Sequence, residues 1–331
     1  MLHKLTVFSG IQPTGILTIG NYIGALSQWE ILQKKYLCIY CIADLHSLTV
    51  IKNIHNVNKN ILDTLSILLA CGINPEKSII FAQSHVPQHT QLHWILNCFT
   101  KFGELNRMTQ FKEKYHCNNT NAVALFNYPI LMAADILLYG AHKVPVGKDQ
   151  IQHLELTRTL AKRFNNIYGN VFITPEIILN QHGSCIMSLS NPTKKMSKTD
   201  INTNNIISLL DNTTSIIYKI KHAITDSDKP PVIKYDLINK PGISNLLNIL
   251  SHITNTSISK LEKKFYGQTY YFFKEYIIEH LNYFLNKLRE KYYFYRQDEN
   301  YLNNILKYGS EKANEKALVI LNKIYHKLGL K

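Results

Sequence analysis

A change of period near residue 200 constrains this chain more than any other feature of its sequence. Before it, short β-rich runs at Leu5–Ser9, Leu37–Ala43, Ser78–Gln83 and Lys143–Val146 alternate with helical patterns. Those patterns lie at Gly20–Lys34, Asn56–Cys71, about 88–115, Pro129–Tyr139 and Asp149–Phe164. Such alternation predicts a parallel sheet covered by helices on both faces. After it, Asn202–Leu210, Thr213–Ala223, Gly242–Ile253, Ser257–Phe265, Tyr270–Tyr295 and Asp298–Leu328 read as helices. Asp228–Tyr235, with Pro230-Pro231, reads as a loop. The division expected is an α/β domain over residues 1–199 and an α-helical domain over 200–331, whose last helix is a candidate to return to the first domain.

With 45% hydrophobic and 18% charged residues, the chain has the composition of a globular protein with a substantial core. No apolar run approaches the roughly 20 residues of a membrane span. Met1-Leu2-His3-Lys4 does not open a signal peptide, so no membrane and a cytoplasmic location are expected. The net charge of +14 is shared between both halves and accompanies abundant Lys, Asn, Ile and Tyr. It permits a nucleic-acid partner and does not require one. Cys38 and Cys41 form the single C-x-x-C pair, inside a strand where positions three apart face opposite ways, so they read as structural thiols and no metal site is expected. His85 and His89 are four apart, but Pro87 lies between them and a surface loop is expected there.

Two segments carry chemistry. Lys195-Met196-Ser197-Lys198-Thr199 places two ammonium groups three apart among small hydroxyl residues, which suits a polyanion. Alone, it reads as a solvated turn. Phe8-Ser9-Gly10-Ile11-Gln12-Pro13-Thr14-Gly15-Ile16-Leu17-Thr18-Ile19-Gly20-Asn21 runs from the first strand through a Gly/Pro loop into a helix. Ligands of open α/β sheets sit at such strand exits. It is neither a dinucleotide fingerprint nor a Walker loop.

Together these segments resemble the two signatures of class I aminoacyl-tRNA synthetases. Thr18-Ile19-Gly20-Asn21 stands for the H-I-G-H motif, and Lys195–Thr199 for K-M-S-K-S with Thr in the last place. Within that class the chain is similar to the bacterial-type tryptophanyl-tRNA synthetases. The likeness is carried by Phe8–Pro13, Arg107–Lys112, Leu131–Tyr139 and Lys240–Leu246 and extends over nearly the whole chain. The resemblance implies a Rossmann-like catalytic domain followed by a helical anticodon-binding domain. The substrates it implies are ATP with Mg²⁺ on its phosphates, L-tryptophan and tRNA(Trp). It also implies a homodimer, with residues 101–115 as a candidate interface.

For ATP, the resemblance points to Gln12, Pro13, Thr14, Gly20 and Asn21, to Gly147, Lys148 and Asp149, to Ile186 through its backbone, and to Lys195, Met196, Ser197, Lys198 and Thr199. The family more often has an acidic residue where Lys148 stands. Lys195, Lys198, Thr18 and Asn21 would carry the catalytic role. For tryptophan, it points to Phe8, Gly10, His46, Tyr128, Met132, Asp135 and Gln150. Of three readings of His46 (general base, pocket wall, core histidine), the resemblance favours the wall.

Asp135 has a supporting argument of its own. A carboxylate flanked by Leu131, Met132, Ala133, Ala134, Ile136 and Leu137 faces a low-dielectric site and requires a donor. Pro129 suits a first helical position, and Tyr128, Met132 and Asp135 then project one way. An aromatic ring, a thioether and an acceptor fit indole with its single N–H. A structural aspartate paired with Arg, Lys or a backbone N–H is the alternative. At the level of function, the alternatives are the tyrosine-specific sister enzyme, a small nucleotidyltransferase and a non-catalytic RNA-binding paralogue.

Overall fold

The structure is a computed structural model that describes residues 4–49, 56–112, 123–179, 185–198, 200 and 202–331. Five parallel strands form one sheet in the order β3-β2-β1-β4-β5, with β1 Thr6–Ile11, β2 Leu37–Ile42, β3 Ser78–Ala82, β4 Lys143–Val146 and β5 Glu176–Leu179. β1 and β2 pair in register from Thr6↔Leu37 to Ile11↔Ile42. Strand β5 is an edge strand that the sequence reading missed, being four residues long and half exposed.

The helices of the first half are α1 Ile19–Asn21, α2 Ser27–Lys35, α3 Asp44–Ser47, α4 Val57–Ala70, α5 Gln88–Phe99, α6 Phe102–Asn106, α7 Val123–Leu137 and α8 Ile151–Tyr168. A π-helical stretch, Tyr22–Leu26, joins α1 to α2. The second half holds α9 Thr213–His222, α10 Pro241–Thr254, α11 Ile258–Lys264, α12 Tyr270–Arg296 and α13 Glu299–Leu328. No helix among the described residues is long and apolar enough to cross a membrane.

Alternation along β2 divides the core into two layers. Cys38, Tyr40 and Ile42 pack with Trp29 and α4 on one face, and Ile39 and Cys41 with Phe81, α5, α7 and α8 on the other. The two cysteines therefore point to opposite sides of the sheet, as expected. The last helix lies across β3: a Cβ on Gly309 would fall 1.8 Å from the Ile80 carbonyl oxygen, and Ala313 and Ala317 beyond it are fully buried. Small residues let this helix cover the sheet edge directly.

Two expectations are corrected. Pro129 does not begin its helix but lies inside α7, whose residues Ile130, Ala133, Ala134 and Leu137 are fully buried. Burial on that scale outweighs the local cost of a missing N–H, and Tyr128 is accordingly helical. Asn202–Leu210 is not an α-helix. Only Thr203–Asn205 forms a 3-10 turn, after which the backbone pairs with the first motif through Ile19 N–H to Ile207 O and Leu209 N–H to Leu17 O, both at 2.9 Å. The aromatic side chains of residues 266–284 are split between core and surface. Phe273 is fully buried, but Tyr266, Tyr271, Phe272 and Tyr283 are exposed.

Candidate active site

β1, β2 and β3 grow the sheet one way, and β4 and β5 lie on the other side of β1. The strand order therefore reverses between β1 and β4, and the carboxyl ends of these two strands bound a crevice. Gln12 leaves one side and Gly147-Lys148-Asp149 the other. The basic loop lies over both. Lys198 Nζ donates to the Gln12 carbonyl at 3.1 Å, and Lys195 Nζ stands 3.5 Å from Asp149 Oδ1. The second pair is well exposed and contributes little energy. Burial pushes the Lys198 ammonium down to about 8. For Asp149, burial acts upward, but the Gln150 amide and Lys195 outweigh it and hold the carboxyl below its usual range.

The loop is held by its backbone. Met187 and Lys195 form an antiparallel bridge, with Met196 N–H donating to Ile186 O at 2.9 Å and Ser188 N–H to Lys194 O at 2.8 Å. Asn245, on α10, receives Met187 N–H at 2.8 Å and returns its amide to Met187 O at 2.9 Å. Close approach to the first motif depends on two glycines. Gly15 has φ +66°, and a Cβ there would meet the Lys198 carbonyl at 2.9 Å. A Cβ on Gly20 would sit 3.5 Å from Ile186 and 4.0 Å from Met196. Pro13 and Thr14 are buried, whereas Ser197 is exposed. Thr18 and Asn21 form a reciprocal cap, Thr18 N–H to Asn21 Oδ1 at 2.9 Å and Asn21 N–H to Thr18 Oγ1 at 3.4 Å, so both side chains also shape the helix start. Lys148 is exposed, and Thr199 lies outside the described residues.

Beside this crevice is Asp135, 3% exposed. Its Oδ1 accepts Gln83 Nε2 at 2.7 Å and His89 Nδ1 at 2.6 Å, and its Oδ2 accepts His46 Nε2 at 2.9 Å. These partners are two imidazoles and an amide. Burial would raise this carboxyl, but His89 and then His46 outweigh it, so it stays ionised. The Tyr128 ring meets His46 edge-on at 6.4 Å, and Met132 is half-buried on the same helix. Phe8 stacks on Tyr139 at 5.5 Å, and Gly10 is exposed at the end of β1.

Gln110 links the two regions: its amide donates to the Asp149 carbonyl at 3.2 Å, and its Oε1 lies 3.2 Å from the Tyr128 hydroxyl. Gln152 fixes the same segment by accepting Thr109 N–H at 2.9 Å. Gln150 donates to Asp149 Oδ2 at 3.0 Å.

The sequence reading missed Gln83, His89, Gln110 and Asn245. His89 was expected on a surface loop and is instead fully buried, because α5 begins at Gln88 and turns it inward against Phe81 and Tyr139. His85 is exposed, as expected. The one signal available for His89 was its place one helical turn before Leu92 and two before Leu96, on the apolar face. Among the described residues no group of three or more His, Cys, Asp and Glu is placed to hold a metal ion.

The family described as tRNA synthetases class I (W and Y) matches residues 2–286. A tryptophan–tRNA ligase from Buchnera aphidicola (subsp. Acyrthosiphon pisum, strain APS) is 56% identical over 330 residues, covering 100% of this chain and 98% of its own. One from Wigglesworthia glossinidia brevipalpis is 56% identical over 331 residues, 100% and 99%. Among solved structures, the Campylobacter jejuni tryptophanyl-tRNA synthetase complexed with ADP and tryptophan is 34% identical. It superposes with a TM-score of 0.84 over 98% of this chain and 100% of that one. With the strand exit, basic loop and buried carboxylate assembled around one crevice, and with similarity along its full length, the chain belongs to the class I tRNA synthetase family of the tryptophan and tyrosine enzymes.

Proposed function

We infer that this chain is a tryptophan–tRNA ligase that works in two steps. The tryptophan carboxylate attacks the α-phosphorus of ATP; the bond to the bridging oxygen breaks, giving tryptophanyl-adenylate and pyrophosphate. The terminal ribose hydroxyl of tRNA(Trp), the 2′-OH in this family, then attacks the acyl carbon and releases AMP. The nucleophile of the first step is already ionised, so the protein supplies position and charge rather than a base.

The observation that carries this reading is the seat of Lys198 on Gln12 over the strand-order reversal, beside the buried Asp135. Lys195 and Lys198 stabilise the charge that develops on the departing phosphates. Thr18, Gly20 and Asn21 position adenosine and phosphates, with Pro13 and Thr14 shaping the loop they follow. The backbones of Gly147 to Asp149 and of Ile186 to Met187 flank the nucleotide, with Met196, Ser197 and Thr199 completing the loop. Gln12 bridges towards the amino acid. Phe8, Gly10, His46, Tyr128 and Met132 wall the ring, Gln150 reaches the amino group, and Asp135 accepts the indole N–H. Mg²⁺ enters on the phosphates of ATP. Residues 1–199 act as the catalytic unit and residues 200–331 as the anticodon-reading unit, in the cytoplasm where tRNA is charged. A homodimer is supported by the exposure of Trp94 at 72% and Phe102 at 74%, apolar side chains that a second copy would cover.

The test is ATP–pyrophosphate exchange driven by tryptophan, tyrosine or phenylalanine, with and without Mg²⁺. Exchange that requires tryptophan and Mg²⁺ supports the reading; tyrosine-driven exchange would transfer the chain to the sister enzyme.

A further inference from the structure

Asp135 has more protein partners than a substrate acceptor needs, and they are distributed unevenly. A carboxylate offers about two acceptor directions per oxygen. Oδ1 has both filled, by Gln83 from the end of β3 and His89 from the first turn of α5; Oδ2 accepts one donor among the described residues, His46. We propose that His89 and Gln83 are positioning residues for indole recognition, which saturate Oδ1 and so leave Oδ2 as the oxygen that reads the substrate N–H. This rests on the reading of Asp135 given above.

The proton positions follow from the contacts. Ionised Asp135 cannot donate, so His89 Nδ1 carries the proton of the 2.6 Å bond. His89 Nε2 lies 2.8 Å from the Tyr139 hydroxyl, so the second ring nitrogen is tied to a neighbouring element as well. Tyr139 therefore fixes the ring orientation in which Nδ1 faces Asp135. Its own ring is fixed by stacking on Phe8 at 5.5 Å and by edge contact with Phe81 at 5.7 Å. Two donors from separate elements on one oxygen stop the carboxylate from rotating about its last bond, so its remaining acceptor direction is fixed before substrate arrives.

The experiment compares kcat/KM for tryptophan with that for β-(benzothiophen-3-yl)alanine, which has the same shape and no N–H, in ATP–pyrophosphate exchange with the full chain. His89→Leu should reduce the preference for tryptophan by about tenfold or more, mainly through KM, because the N–H no longer meets a fixed acceptor. His89→Asn retains a donor at the place of Nδ1 and should return the preference to within about threefold of the parent. A preference left unchanged by His89→Leu, with both substrates weakened alike, would mean that His89 is only structural and overturn the proposal. If that variant does not fold, Tyr139→Phe removes only the hydroxyl that holds the His89 ring and should still lower the preference by roughly threefold; an unchanged ratio there overturns it equally. Asp135→Asn separates the two levels. If it leaves the preference intact, the reading of Asp135 fails and this proposal with it; if it abolishes the preference and the His89 variants do not, only this proposal fails.

Discussion

Lys198 and Gln12, 186 residues apart in sequence, are joined by a 3.1 Å hydrogen bond from the lysine ammonium to the glutamine backbone carbonyl. Through that bond the basic loop rests on the exit of the first strand.

Replacing Lys198 by alanine is therefore expected to cost about 2–4 kcal/mol in the activation step, as for loss of one fixed transition-state donor, with little change in tryptophan affinity. Single-turnover adenylate formation and equilibrium tryptophan binding, measured on the same variant, separate these effects. Equal losses in both would remove the loop from the chemistry.

Burial gives the same lysine a distinct pH signature. With its pKa at about 8, it carries charge below that pH and loses it above, so kcat/KM for ATP should fall as pH rises through about 8. Lys198→Arg stays charged and should remove that alkaline limb. Stability moves the other way: the unfolded chain holds this proton up to the ordinary value of 10.5, so this group favours folding increasingly from about pH 8 to 10.5.

Asp135→Ala should weaken tryptophan binding and narrow its lead over tyrosine and phenylalanine. It also leaves Gln83, His46 and His89 without their shared acceptor, a penalty of about 1–3 kcal/mol in stability. Amino-acid-dependent exchange and a thermal melt read the two losses; selectivity equal to the parent's would exclude Asp135 from recognition.

Asn245 tests the proposed nucleotide contact of the Ile186–Met187 backbone. Asn245→Ala removes both bonds to Met187, at about 0.5–1.5 kcal/mol each, and should raise KM for ATP while leaving KM for tryptophan near its parent value. A rise in both constants would show a general loosening instead.

At Gly309 the usual helix rule should reverse. Alanine is normally better than glycine inside a helix by about 1 kcal/mol. Here its Cβ would fall 1.8 Å from the Ile80 carbonyl, so the helix must lift from β3, at about 1–3 kcal/mol for overpacking. Gly309→Ala should lower Tm, and a raised Tm would mean that α13 and β3 are not in direct contact.

What the residues determined by themselves was local. The unbroken apolar run Leu37–Ile42, which marks a strand buried on both faces, the 3.6 period of α4 and α8, and the chemistry of Lys195–Lys198 are each written within a few turns of chain. What only the tertiary structure decided was non-local. His89 became a ligand of Asp135 because α5 packs beside α7, 46 residues on. Pro129 stayed inside a helix because sheet and helices buried its neighbours. Residues 206–208 left the helical conformation because the first motif took the backbone bonds around Ser208. In each case a partner distant in sequence offered more free energy than the local preference could oppose, and no window on the sequence contains that partner.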